Sequence, residues 1–135
     1  MAYQRDLECY TFPSSLDLSS SKFKVVELVS TGHVQLAALG KGYGVLQNQP
    51  KVGEAASVAV EGESRCIAGG SITFGDHLRV LSGGWLVKIN SGDLSGVMDM
   101  GVCMVTAASG AISTIDINRN FLANVISGSV VQAIP

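Results

Sequence analysis

The sequence predicts an all-β domain, either a compact β-barrel or a β-sandwich, on three observations. Apolar and polar residues alternate at period two over short stretches: Ile72, Phe74, Leu78 and Val80 share one parity, and Thr73, His77 and Arg79 take the other. All sixteen glycines fall between Gly32 and Gly128, at intervals that suit turns. Five Ser-Gly pairs, beginning at Ser82, Ser91, Ser95, Ser109 and Ser127, punctuate the C-terminal half. Glycine takes a positive φ at such positions without steric cost.

In chain order, residues 1–21 read as an extended N-terminal arm outside a single β domain formed by residues 22–135. The arm holds no glycine, its apolar side chains come singly, and Pro13 would interrupt either a helix or a central strand. Tyr3, Tyr10, Phe12, Leu16 and Leu18 are the anchors by which such an arm would order on a partner. Residues 22–29 are β-branched enough for a strand. Parity slips between Val25 and Val26, which predicts a bulge or burial on both faces. Thr31-Gly32 turns the chain into a strand over 33–37. Strands over 43–47 and 55–61 follow, joined through 48–53, where Pro50 fixes φ and supplies no donor. The alternating run from Ile72 to Val80 is the next strand, and Ser82-Gly83-Gly84 reverses the chain into 85–89, with Trp85, Val87 and Ile89 pointing together. Met98, Met100, Val102 and Met104 form another one-sided row. After Asn118 as an N-cap, Phe121, Leu122, Val125 and Ile126 recur at helical spacing, so one short helix is expected over 119–126.

Composition narrows the function. With 47% hydrophobic residues but only 6% aromatic, the core must be built from Val, Ile, Leu, Ala and Met. Charged residues are 15%, so much of the surface is small, neutral or apolar, as suits a protein that works in an assembly. A net charge of −2 and scattered Lys and Arg argue against a nucleic-acid binder. No apolar run is long enough to cross a bilayer as a helix, and the acidic start at Met1–Glu8 is not expected to be a signal peptide. Cys9, Cys66 and Cys103 form no C-x-x-C pair and are expected to be free thiols of a protein made in a reducing cytoplasm.

Chemistry is not expected. Asp76 and His77 are adjacent in a strand and point to opposite faces, so they cannot form a carboxylate-oriented imidazole. Gly40-Lys41-Gly42-Tyr43-Gly44 lacks the spacing and the following helix of a phosphate loop. Acidic residues are isolated, and His33 and His77 stand far from each other and from any cysteine. Neither a metal, a cofactor nor an enzyme is therefore expected.

The motif Tyr43-Gly44-Val45-Leu46-Gln47-Asn48, then Pro50, then Gly53-Glu54-Ala55-Ala56 leading into Val58-Ala59-Val60-Glu61-Gly62, resembles the central motif of the capsid decoration (head-cement) proteins of tailed bacteriophages. Ala68-Gly69-Gly70-Ser71-Ile72, Gly75-Asp76-His77-Leu78 and Gly101-Val102-Cys103-Met104-Val105 fit the later parts of the same pattern, so the likeness runs from about Phe23 to Val105. It implies a homotrimer on the outer surface of the expanded head, bound to the major capsid (coat) protein and holding neighbouring coat subunits together, with no enzymatic residues. The arm would add a strand to an edge of the coat lattice, and a chain lacking 1–21 would remain a folded trimer that leaves the capsid. Two alternatives stand beside it. One is another virion β module of the tail, baseplate or fibre attachment; the other is a carbohydrate-binding β domain with Trp85 and Tyr43 as a stacking platform.

Overall fold

A computed structural model describes residues 7–38, 42–90 and 98–121. Their strands are β1 (Glu8–Pro13), β2 (Val25–Leu28), β3 (Val34–Leu36), β4 (Gly44–Leu46), β5 (Ala55–Ile67), β6 (His77–Leu81), β7 (Trp85–Lys88), β8 (Met98–Cys103) and β9 (Ile112–Phe121). All strand pairs are antiparallel, in the order β3-β2-β4-β5-β9-β8-β6-β7, with β1 also on β5. The all-β, barrel-like fold expected from the sequence is the one observed.

The long strand β5 organises the sheet because it serves two halves in turn. Its first part pairs with β1 and β4, and its second part, from Gly62 to Ile67, pairs with β9. Between them the register with β1 shifts, Glu8 lying opposite Glu61 and Cys9 opposite Ala59, so Val60 is an extra residue on β5. Gly62 follows with φ +102°. The bulge reverses the parity of the strand. Ala56, Val58 and Val60 pack into one apolar cluster with Leu18, Val26, Val34 and Leu46. Ala59 and Cys66 join a second and larger cluster with Val25, Leu78, Val80, Leu86, Met100, Ile115 and Ile117.

Both halves curl back on themselves. A bridge between Ser14 and Val34 brings β3 to the chain that leaves β1, and a bridge between Ala68 and Leu86 brings β7 to the end of β5. Val25 lies in one cluster and Val26 in the other, so the slipped parity at this point is burial on both faces. The Asn48–Gly53 connection is held by Asn48, whose Nδ2 donates to Ala55 O at 3.0 Å and whose Oδ1 accepts from Ser57 N at 3.0 Å.

Three expectations are corrected. The described part of residues 1–21 is not an arm outside the domain. β1 is laddered to β5 over six residues, Leu18 N donates to Pro50 O at 2.8 Å, and Leu18 is only 1% exposed. The helix expected over 119–126 does not form in its described portion: β9 runs through Phe121, where Asn120 and Phe121 pair with Asp99 and Met98. Residues 122–126 lie outside the described residues. Phe74 does not join the inward row of Leu78 and Val80, because residues 73–76 form a turn closed by Asp76 N donating to Thr73 O. In β7 Trp85 and Val87 are alike half-buried on one face, and Leu86 between them is buried on the other.

Candidate interaction surface

The predicted anchor residues separate into three groups. Tyr3 lies outside the described residues. Tyr10 and Phe12, two apart on β1, share a face: Tyr10 is 46% exposed, while half-buried Phe12 meets Tyr43 edge-on with ring centroids 5.4 Å apart. Leu16 is exposed in the connection after β1, but Leu18 is core and unavailable to a partner. Among the described anchors, only Tyr10, Phe12 and Leu16 can therefore contribute to a surface.

That surface is acidic at its upper end. Glu8 sits directly opposite Glu61, and Tyr10 Oη donates to Glu8 Oε2 at 3.0 Å, which pushes the Tyr10 phenol above its ordinary pKa. Glu63 continues the row on β5, opposite Asp116 of β9.

Further exposed apolar side chains include one that sequence alternation placed in an inward row. Phe74, 65% exposed, donates its backbone N–H to Thr106 Oγ1 at 3.0 Å, beside exposed Val105. Ser113 Oγ donates to Val105 O from the buried face of β9, and Ile112, one residue earlier on that strand, is exposed on the other. Turn and bend geometry aims Phe74 and Val105 outward, whereas Ile112 faces out by the parity of β9, whose Ser113, Ile115 and Ile117 are buried. Nearby, a shallow cleft of about 330 Å³ is lined by Gly69, Leu81, Trp85, Ser109 and Gly110. One face of Trp85 is covered by Lys24, whose Nζ lies 4.3 Å from the ring centroid. Trp85 and Tyr43 thus have different partners, and no shared stacking platform is built from them.

The structure also pairs a histidine with a carboxylate that sequence adjacency did not suggest. His77 Nδ1 lies 2.7 Å from Asp99 Oδ2, and Asp99 Oδ1 accepts from Gly101 N at 2.9 Å. Burial pushes the Asp99 carboxyl above its usual range, against the pull of His77 and the Gly101 N–H. Twenty-two residues separate the two, and only the β6–β8 ladder joins them. An imidazole oriented in this way could act as a base if a hydroxyl or water were held on its second nitrogen. Its visible role is to clasp β6 to β8.

The sign of its pH dependence follows. A carboxyl whose folded pKa is raised is stabilising when protonated, and that contribution is lost as pH rises through the folded value. His77 limits the loss, so His77→Ala should cost about 1 kcal/mol near pH 7, the half-exposed ring discounting the pair. The difference from wild type should shrink below about pH 3, where Asp99 is neutral in both chains. Urea unfolding at the two pH values measures it. An equal cost at both would show that the imidazole acts by packing alone.

Burial pushes the Cys66 thiol up to about 12, so it stays protonated, while Cys9 is an exposed free thiol on β1.

No family model and no curated protein matches this sequence. Among solved structures, the chain is similar to the head fiber gp8.5 N base of bacteriophage phi29, with a TM-score of 0.66. The superposition covers 84% of this chain and 95% of that one, at 17% identity. The two share a fold. Nearly the whole of the phi29 base is matched, so the likeness concerns the complete β architecture and not one hairpin.

Proposed function

We propose that this chain is a structural protein of a tailed-phage head, displayed on the outside of the shell as a homotrimer that binds the coat protein and bridges its subunits. The observation that carries the reading is the fold shared with a phage head-fibre base, over 84% of the chain. The motif from Tyr43 to Gly62, which resembles that of head-cement proteins, supports it independently, and in this chain it builds β4, β5 and the clamped connection between them. Exposed apolar side chains at Phe74, Val105 and Ile112 suit a molecule that adheres to others.

The likeness to a fibre base favours a second reading, in which this domain is the foot of a fibre and not a cement. Location and stoichiometry separate the two. Purified protein mixed with empty expanded and unexpanded shells should be retained on expanded shells in sedimentation, with trimeric density over coat-subunit junctions by electron microscopy. Density at sparse sites carrying a projecting fibre would favour the second reading. Failure to bind either kind of shell would overturn both.

A further inference from the structure

β1 differs from the other terminal strands of the sheet. The outer edges of β3 and β7 are met by Ser14-Ser15 and by Ala68-Gly69, but β1 pairs with β5 alone among the described residues. Open edges invite pairing, and natural sheets blunt them with charges, proline and bulges. Here those devices stand at the ends of the strand: Glu8 and the register shift at one end, Pro13 at the other. The stretch from Cys9 to Phe12 has none of them.

The charge beside this edge is unbalanced. Glu8 and Glu61 are directly opposed, an arrangement that disfavours the pair, and neither has a cation partner among the described residues. A strand laid along β1 would place a side chain next to Glu8. A lysine or arginine there would form the missing opposite-charge pair and could rest its stem on the exposed ring of Tyr10.

We propose that the outer edge of β1, over Cys9–Phe12, accepts an extended segment of a basic protein partner by strand addition, with Glu8 and Glu61 selecting for positive charge. Backbone hydrogen bonds supply the register and the carboxylates supply the sign. The inference rests on the open edge and its charge, and it stands whether or not the protein belongs to a phage head.

The test uses the full chain labelled with ¹⁵N and two short synthetic peptides, one alternating lysine with valine and the other alternating glutamate with valine. The lysine peptide should shift the amide resonances of Cys9 to Phe12 and slow their hydrogen exchange. Its binding should weaken as salt rises from about 0.05 to about 0.5 M. In the double variant Glu8→Lys/Glu61→Lys the preference should invert toward the glutamate peptide, by about tenfold or more. The proposal is overturned if wild type binds both peptides alike, if the shifts fall away from β1, or if no shift occurs. It also fails if the charge-reversed chain still prefers lysine. Should that variant not fold, the two peptides and the salt series on wild type decide the matter.

Discussion

Replacing Gly101 by alanine is expected to cost more than about 3 kcal/mol, a large share of the ~5–15 kcal/mol by which domains are stable. Two effects add at this position. Its φ of +142° is one that side chains rarely adopt, and a Cβ built there would lie 2.1 Å from Asp116 O and 3.0 Å from Asn118 N. Both obstacles are backbone of the neighbouring strand β9, which cannot rotate aside as a side chain could. The site is also where β8 changes parity: Met100 and Cys103 both reach the core only because the register shifts between Asp99 and Gly101. Two controls separate the effects. Gly110 has φ +85° and open space, with nothing within 4 Å of an added Cβ, so Gly110→Ala should cost only about 1–2 kcal/mol of backbone strain. Gly44 lies in β4 with a Cβ position 2.3 Å from Ala59 O, so Gly44→Ala reports close strand approach and should also exceed about 3 kcal/mol. Urea unfolding of the three variants measures the series. A Gly101→Ala chain as stable as Gly110→Ala would mean that β8 and β9 do not approach as described.

These glycines also mark what sequence reading could and could not reach. Turn glycines and period-two runs are local signals, and they located most of β2 to β9. What a bulge does to parity is not local. Met98, Met100, Val102 and Met104 look like one row, yet the shift at Gly101 buries Cys103 in place of the next even residue. The spacing of Phe121, Leu122, Val125 and Ile126 suits a helix in isolation, but through Phe121 the chain is claimed by the ladder to β8, whose residues lie some twenty positions earlier. His77 and Asp99 meet for the same nonlocal reason. β1 was missed because most of its side chains are exposed and only Phe12 is partly covered, so no buried face wrote a pattern into the sequence. Of the residues expected on the arm surface, Tyr10 and Leu16 are exposed and Phe12 is half-buried; Leu18 is not distinguishable from them in sequence without knowing that Pro50 and Val34 lie against it.

The integration of the N-terminal segment reverses what its removal should do. A solvated arm could be cut away at residue 21 and leave a folded domain. Here the cut would remove the whole β1–β5 ladder, Leu18 from the core, and the bonds that fasten the connection between β4 and β5: Leu18 N to Pro50 O, Ser14 N to Glu54 O at 3.0 Å, and Gly53 N to Ser14 O at 2.9 Å. It would also uncover Val58 and Ala56 along one side of β5, turning a central strand into an apolar edge. Deleting residues 1–21 is therefore expected to abolish cooperative unfolding or lead to aggregation, visible as loss of the thermal transition and of dispersed NMR signals. Point variants grade the effect. Leu18→Ala should cost about 2–5 kcal/mol through the cavity it leaves, while Leu16→Ala, at a side chain 53% exposed, should stay within about 0.5 kcal/mol. If the truncated chain instead unfolds cooperatively with unchanged stability, β1 is a detachable strand after all. Strand addition would then have to be sought on the bared edge of β5, where Ala56 and Val58 would supply the contact that β1 now makes.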